Sequence, residues 1–321
     1  MAVKEREFPI RIHQNNALLK RIRKNHEVRP RVESDLKNIA AGYKGEKTVD
    51  YHLGYLEDKK YSIFHNIRLQ VGSQYFQIDT LIITTCYIVI IEVKNLAGII
   101  RIDPQIRQCT RILNDTQEGF IDPISQVEKS TLLFKKWLSQ HGFQTTSIEF
   151  LVVISNPQTT IDYTMRPAPH SQYTKIIHSQ NILQYVTTLN NKYNNEVMTS
   201  KEVQKLKKML LKKHSVLLSN ILDIYGLTRN EILTGVLCER CNNVSPLTRI
   251  SNYWTCFQCS YKSKTAHIQA LDDYFLLMDD RITNRTLREF LHIPSRNTAT
   301  YMLKSLNLKS SGSGKGIYYY K

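Results

Sequence analysis

The chain contains the stretch Phe76-Gln-Ile-Asp79-Thr-Leu-Ile-Ile-Thr-Thr-Cys-Tyr87-Ile-Val-Ile-Ile-Glu92-Val-Lys94-Asn95. Two apolar runs flank Thr84-Thr85-Cys86, and both are β-branched and too short for typical helices, which predicts a pair of strands. Glu92 and Lys94 stand two residues apart, so they point to the same face of their strand. Asp79 lies on the partner strand, within reach of that face. Buried charges are costly unless they are paired or bind a metal, so this cluster calls for a functional explanation.

The charged residues suit metal-assisted chemistry on a phosphate ester. Asp79 and Glu92 are candidate ligands of Mg²⁺ or Mn²⁺ through carboxylate oxygens. Lys94 is placed to position the attacking water and to offset charge at phosphorus. Glu46 is a candidate further acid and Gln126 a candidate hydrogen-bonding partner. The alternatives are a structural ion pair and, for Glu46, a carboxylate that stabilises the N-terminus of its helix.

The segments around this stretch alternate between helical and extended patterns. A helical run follows Gly42, and Asp122-Pro123 is a good helix start, with Asp as N-cap and Pro at the first helical position. The remaining predictions are strands over 61–69, 99–102 and 149–154 and a loop-rich segment over 103–120. This order predicts an α/β fold with one mixed sheet flanked by helices.

Four short motifs in this region resemble the nuclease-related (NERD) domain of the PD-(D/E)xK restriction-endonuclease-like superfamily. They are Gly45-Glu46, Gln77-Ile-Asp79, Ile91-Glu92-Val-Lys94-Asn95 and Asp122-Pro-Ile-Ser-Gln126. The resemblance covers residues 41–155, with the motifs in the expected order. It implies a restriction-endonuclease-like domain over residues 41–200, with its core at 41–155.

The same resemblance implies a role for each residue of the candidate site. Asp79 and Glu92 would be metal ligands and Lys94 the catalytic lysine. Glu46 would be the acid carried on a helix, and Gln126 the supporting glutamine. The resemblance implies nuclease activity without naming a substrate.

The net charge of +16 is unevenly distributed along the chain. Residues 1–40 carry +5, residues 41–200 carry +1 and residues 201–321 carry +10. A polyanion is the expected partner of the two basic flanks, and a merely solvated basic surface is the alternative. Residues 1–40 are predicted to form a basic helical arm interrupted at Arg29-Pro30-Arg31, and residues 201–235 a helical connector.

The composition is that of a globular protein, with 41% apolar and 22% charged residues. No apolar run approaches the roughly 20 residues that span a bilayer. We therefore expect no membrane-spanning helix and no membrane partner. The first residues are charged and develop no apolar signal core. We therefore expect a cytoplasmic protein.

Four of the six cysteines are paired by their spacing, Cys238-x2-Cys241 and Cys256-x2-Cys259. Two such knuckles complete a tetrahedral zinc site, and four protein ligands leave no open position. We therefore predict a structural Zn²⁺ in a zinc ribbon over residues 236–265. Two disulfides are the alternative, but nothing indicates an oxidising compartment.

Residues 266–321 resemble a winged helix-turn-helix. Helices are predicted over 271–278, 283–291 and 295–306, followed by the Gly/Ser-rich tip and return strand of a wing. The predicted nucleic-acid-binding residues are Ser295, Arg296, Asn297, Thr300 and Lys315. A winged helix used for protein contacts is the alternative.

Together these features predict a metal-dependent nuclease that is delivered to DNA by its C-terminal modules. One alternative is a catalytically silent DNA-binding regulator, and another is a protein-interaction scaffold. RNA remains open as a substrate, because no RNA-specific module is recognisable. A cut through both strands needs two active sites, so a homodimer is plausible.

Overall fold

A computed structural model describes residues 2–56, 59–144, 147–163, 173–216, 220–242 and 245–321, except for the side chain of Lys315. The chain forms two compact units. The first contains Met1–Phe8 and Ala40–Leu217, and the second contains Pro9–Ile39 and Leu218–Lys321. The finer division into an arm, a nuclease-like domain, a connector, a zinc ribbon and a winged helix stays a prediction.

The helices are α1 (Ile10–Arg21), α2 (Arg29–Leu53), α3 (Pro123–Gln140), α4 (Ile182–Lys192), α5 (Ser200–Lys213), α6 (Ile221–Tyr225), α7 (Ala266–Leu277), α8 (Asn284–Leu291) and α9 (Arg296–Ser305). The strands of the first unit are β1 (Ser62–Val71), β2 (Gln74–Ile83), β3 (Ile88–Lys94), β4 (Ile99–Asp103), β5 (Gln108–Leu113), β6 (Thr116–Ile121), β7 (Ile148–Ile154), β8 (Thr160–Tyr163) and β9 (Ile176–His178). Those of the second unit are β10 (Val236–Leu237), β11 (Pro246–Ile250), β12 (Tyr253–Thr255), β13 (Lys262–Ser263), β14 (Lys309–Ser311) and β15 (Tyr318–Tyr320).

The first unit is built on a mixed sheet with the strand order β1-β2-β3-β7-β9. Strands β1, β2 and β3 are antiparallel neighbours, whereas β7 runs parallel to both β3 and β9. Strand β3 lies in the middle and is buried on both faces, which explains its unbroken apolar run. The predicted α/β fold with one mixed sheet flanked by helices is confirmed, with a second, smaller sheet of order β6-β5-β4-β8 added to it.

Helices cover both faces of the central sheet. On one face, α3 and α5 contribute Phe134, Trp137 and Leu206 to a core that includes Ile90 of β3. On the other face, α2 and α4 contribute side chains such as Val49 to a core that includes Val89, Ile91 and Leu151. The residues of β3 therefore alternate between two cores, and Glu92 has the same parity as Ile90, on the α3 side.

Two local predictions were wrong. Residues 103–120 are not loop-rich, because they contain β5 and β6, joined through Asn114 and Asp115 in left-handed conformations with φ of 49° and 60°. Left-handed residues at both central positions suit a two-residue hairpin. The break between the two helices of residues 1–40 lies at residues 22–28 instead of at Arg29-Pro30-Arg31, because α1 ends at Arg21 and α2 starts at Arg29. Proline is tolerated in a first turn, where its missing N–H is not needed.

The second unit combines the predicted zinc ribbon and the predicted winged helix. Strands β10 to β13 form one small sheet, and β14 pairs with β15 as the wing. Ile282 forms a bridge with Tyr319, which ties the segment before α8 to the wing. Trp254 of the ribbon belongs to the same buried cluster as Leu287 and Met302 of the helices. The ribbon and the helices therefore share one core.

Helix α1 is part of the second unit. Arg21 is buried and donates to Asp273 Oδ2 at 2.8 Å and to the carbonyl oxygens of Leu233 and Gly235. Breaking such a buried pair by removing one partner typically costs about 3–5 kcal/mol.

In the part of the chain that is described, no helix combines the length and the apolar character needed to cross a membrane.

Candidate active site

The candidate active site begins at an irregularity where β1 and β2 lie side by side. Asn66 has a φ of 49° and faces Asp79, because the flanking pairs are His65 with Thr80 and Ile67 with Ile78. Asn tolerates this left-handed conformation better than most residues. Phe64 and Ile67 are three residues apart, so in a regular strand they would point to opposite faces of the sheet. Both nevertheless belong to the same core, so β1 changes the face that it buries at Asn66. Asp79 thus stands where the regular ladder is interrupted.

The carboxylate of Asp79 accepts a hydrogen bond from a main-chain N–H of β3, at the end where the pairing of β2 with β3 stops. Strands β2 and β3 pair from Ile83 with Ile88 to Thr80 with Ile91. Just beyond the last pair, the Val93 N–H donates to Asp79 Oδ2 at 3.0 Å. This bond holds the Asp79 side chain against the end of β3, next to Glu92.

The structure brings Glu92, Lys94 and Gln126 into contact. Glu92 is buried, and Lys94 Nζ donates to Glu92 Oε1 at 2.7 Å and to Gln126 Oε1 at 2.8 Å. Gln126 is positioned by the start of α3, where Asp122 accepts from the N–H groups of Ile124 and Ser125. The predicted N-cap therefore orients the residue that contacts the lysine.

Glu46 lies within electrostatic range of Asp79 and Glu92, but its carboxylate already has partners of its own. It pairs with Arg6 Nη1 and accepts from Asn66 Nδ2 at 3.3 Å. In the described ranges, the four zinc-ribbon cysteines are the only group of three or more metal-binding side chains whose donor atoms all lie within 4.8 Å of one another. Glu46, Asp79 and Glu92 therefore do not converge as a single three-carboxylate cage, although each lies within electrostatic range of another.

Burial governs the ionisation of these acids. It raises the pKa of Asp79, against the opposing effects of the Val93 N–H and the Lys94 charge. It also raises the pKa of Glu92 to about 7, and the neighbouring Asp79 carboxylate adds to this effect while Lys94 opposes it. Asp79 and Glu92 therefore resist ionisation while they lie buried side by side. A divalent cation bound between their oxygens would stabilise both acids as carboxylates.

These elements match a known family. Residues 41–155 match the family model of the nuclease-related domain, NERD. The chain contains a nuclease-related domain. The matched range holds all five predicted residues of the candidate active site, and the zinc-ribbon cysteines lie beyond it. No curated protein and no solved structure matches the chain.

The nuclease-related domain brings α2 unusually close to the ends of β3 and β7. A Cβ atom on Gly45 would collide with the side chains of Ser155 and Asn95, whereas a Cβ on Gly42 would meet nothing within 4 Å. Asn95 Nδ2 also donates to the carbonyl oxygen of Ala41 at 2.6 Å. Gly45 therefore sets how closely the helix that carries Glu46 approaches the strand that carries Glu92.

Substituting these two glycines is expected to change stability in opposite directions. Gly42→Ala should raise the free energy of unfolding by up to about 1 kcal/mol, because alanine is the better helix former. Gly45→Ala should lower it by about 1–3 kcal/mol, because the added methyl group overpacks the helix against β3 and β7. Urea denaturation of the two variants tests this, and equal shifts would contradict the close approach.

Sequence reasoning missed several residues of the site, above all Arg6. Arg6 is buried and contacts Glu46, Asp50 and Asn66. Burial lowers its pKa, but Asp50 and Glu46 outweigh that effect and the net pKa is raised. Burial likewise lowers the pKa of the adjacent His65 to about 4. Asn66 and His65 were detectable as polar residues within an apolar strand, whereas Arg6 carries no local signal.

The four cysteines of the second unit fit a zinc ribbon. Cys238 Sγ and Cys259 Sγ are 3.6 Å apart, and Cys241 Sγ and Cys256 Sγ are 3.8 Å apart. Zn–S bonds of about 2.3 Å in a tetrahedron place the sulfur atoms about 3.8 Å from one another, whereas a disulfide needs about 2.05 Å. The residues after each knuckle, Asn242 and Ser260, adopt left-handed conformations that complete the turns.

The predicted nucleic-acid surface lies on α9. Ser295 caps this helix by accepting from the Thr298 N–H at 3.2 Å, and Arg296 and Asn297 are exposed. Thr300 is less available than predicted, because its hydroxyl accepts from Asn284 Nδ2 at 2.9 Å. The side chain of Lys315 lies outside the described residues. Tyr301 and Lys304 are also exposed, and their spacing of four and seven from Asn297 places them on the same helix face.

Proposed function

We propose that the nuclease-related domain hydrolyses phosphodiester bonds of DNA with the help of a divalent cation. The observation that carries this proposal is the contact of Lys94 with both Glu92 and Gln126, beside Asp79. Two adjacent acids and a lysine held by a glutamine form a donor set that suits a cation and a phosphate. Asp79 and Glu92 would hold Mg²⁺ or Mn²⁺, which would polarise the phosphoryl group and lower the pKa of a bound water.

The chain's own groups have separate tasks in this proposal. Lys94 would donate a hydrogen bond to a non-bridging phosphate oxygen or to the attacking water, since its side chain is 22% exposed and keeps a donor free. Gln126 would hold the ammonium group in place. Glu46 would act only indirectly, because its carboxylate is paired with Arg6.

DNA is the proposed substrate because of the second unit. The excess charge of +10 over residues 201–321 includes the winged helix, whose α9 exposes Arg296 and Lys304. A recognition helix of this kind commonly enters the major groove of a duplex. RNA is an outcome of the test below.

We further propose a homodimer, because a cut through both strands needs two active sites. We also propose a reducing compartment such as the cytoplasm, since all six cysteines are free of disulfides.

The activity is tested by incubating the purified protein with supercoiled, linear and single-stranded DNA and with RNA, in Mg²⁺, Mn²⁺ or EDTA. We expect cleavage that requires the metal and falls by about 10²–10³-fold in Asp79→Asn and Lys94→Met, because each removes a group that stabilises developing charge. Asp115→Asn and Lys129→Met are matched controls at exposed positions of the same unit.

Two outcomes would redirect the proposal. Cleavage that survives both site substitutions would show that the site is assigned to the wrong residues. No cleavage of any substrate, together with intact salt-dependent DNA binding, would favour the catalytically silent regulator.

Duplex binding by α9 is tested separately by fluorescence anisotropy at several salt concentrations. The double variant Arg296→Ala/Lys304→Ala is expected to bind about tenfold more weakly and to lower the slope of log K against log salt by about 2, because two phosphate contacts are lost. Arg285→Ala on α8 is the matched control, since Arg285 is exposed and pairs with Glu289. Equal effects of both variants would argue for protein contacts instead.

A further inference from the structure

Arg6 reaches the candidate active site from a segment outside the matched family range. Val3 N donates to the carbonyl oxygen of Ile63 at 2.8 Å, and His65 N donates to that of Lys4 at 3.0 Å. Lys4 thereby forms a parallel bridge with Phe64, along the free edge of β1. Two residues later, Arg6 turns its side chain inward, so the N-terminal segment delivers a cation that residues 41–155 do not themselves contain.

The guanidinium of Arg6 is held by a full set of acceptors. Its Nε and Nη2 donate to Asp50 Oδ2 and Oδ1, each at 2.9 Å, and Nη1 donates to Asn66 Oδ1 at 3.0 Å and pairs with Glu46. Nη2 also donates to Thr80 Oγ1 at 2.9 Å and to the carbonyl oxygen of Asp79 at 3.2 Å. The two-pronged contact with Asp50 uses the fork geometry that only arginine offers.

The charges of the site can be counted from these contacts. Its acids are Glu46, Asp50, Asp79 and Glu92, and its enclosed cations are Arg6 and Lys94. Lys47 also approaches Asp50, at 3.7 Å, but its side chain is 54% exposed and its charge is screened by water. With all four acids ionised, one negative charge is left with Glu46 and Asp50 after Arg6, and one with Asp79 and Glu92 after Lys94. The total of two negative charges is what one divalent cation neutralises.

We propose that Arg6 is a positioning residue that serves as a built-in cation: it holds Glu46 and Asp50 and thereby limits the site to one divalent cation, at Asp79 and Glu92. This inference rests on the proposed function, because it takes these two acids as the metal ligands. The physical reason is that buried carboxylates need a positive partner. A guanidinium group stays protonated in proteins, so its charge is always present. Without Arg6, Glu46 and Asp50 would be free to bind a second cation.

The test is the number of Mn²⁺ ions bound by the zinc-loaded full chain, measured by electron paramagnetic resonance and by calorimetry without any nucleic acid. We expect one Mn²⁺ in the wild type and none in Asp79→Asn. Arg6→Gln should bind a second Mn²⁺ and, in the absence of metal, should melt at a lower temperature than the wild type. Arg6→Lys keeps the charge and should bind one.

A triple variant separates charge compensation from a general loss of structure. Arg6→Gln/Glu46→Gln/Asp50→Asn removes the cation together with both of its acids, so it should bind one Mn²⁺ and recover the metal-free melting temperature that Arg6→Gln loses. If Arg6→Gln does not fold, the triple variant and Arg6→Lys decide the test. Two Mn²⁺ ions bound by either of them would overturn the inference.

The outcomes distinguish this inference from the proposed function. One Mn²⁺ in the wild type and one in a folded Arg6→Gln would overturn the role of Arg6 and leave the metal site standing. Two ions in the wild type would do the same. No Mn²⁺ in the wild type would remove the metal site itself, and with it both proposals.

Discussion

Replacing Glu92 with Gln is expected to abolish metal-dependent cleavage and, at the same time, to stabilise the metal-free protein. The loss of cleavage should exceed about 100-fold, since even the partners of metal ligands often cost 10–100-fold when they are removed. The gain in stability follows from the buried position of Glu92, where burial raises its pKa to about 7. A neutral side chain of the same shape avoids this cost and can still accept the hydrogen bond from Lys94.

The pH dependence of this gain has a definite sign. A carboxyl with a folded-state pKa near 7, against an ordinary value of 4.5, keeps its proton longer when folded than when unfolded. The metal-free wild type should therefore lose stability as the pH rises from about 4.5 to about 7, by on the order of 1–3 kcal/mol. At pH 8 the Glu92→Gln variant should be more stable by that amount, and below pH 4.5 the difference should vanish.

Thermal and urea denaturation in EDTA across this pH range, followed by titration with Mn²⁺, provide the measurement. Mn²⁺ should stabilise the wild type but have little effect on Glu92→Gln. Glu196→Gln, at an exposed position, serves as the control and should resemble the wild type throughout. A Glu92→Gln variant that is less stable than the wild type at pH 8 would contradict the burial argument.

Removing zinc is expected to unfold the ribbon and to disrupt the winged helix with it. In zinc-finger peptides, structural zinc contributes a binding free energy of about 10–16 kcal/mol, and most of this is folding free energy. The ribbon strands are short, and the ribbon shares its buried cluster with α7, α8 and α9. Chelation or Cys241→Ser should therefore reduce duplex binding as well as release the metal.

The two tryptophans allow the effect to be followed in each unit. Trp254 lies in the ribbon and donates to His267 Nδ1 at 3.2 Å, whereas Trp137 lies in the core of the first unit. In a Trp137→Phe background, chelation should shift the emission of Trp254 to longer wavelength. Metal analysis should find one zinc per chain, and Cys86→Ser should retain it. A chelated protein with unchanged emission and unchanged duplex binding would show that zinc is dispensable for this unit.

The strand pair and its charges could be predicted from the sequence because the information is local. Alternation along β3 places Glu92 and Lys94 on one face regardless of the surroundings, and Asp122-Pro123 specifies the start of α3 by the chemistry of a helix cap. The hairpin of β5 and β6 escaped prediction because its residues lack apolar alternation and its turn is Asn114-Asp115 instead of the usual Asn-Gly.

The sequence by itself determined the order of helices and strands, the presence of an acidic and lysine-containing cluster, and the paired spacing of four cysteines. Each of these depends on residues that are close along the chain or regularly spaced. Only the tertiary structure decided which cation neutralises Glu46. Arg6 and Glu46 are 40 residues apart and their segments show no shared pattern, so their contact arises from the packing of the N-terminal segment on β1. The charge balance of a buried site depends on every group that packing brings near it, and spacing along the sequence does not reveal that set.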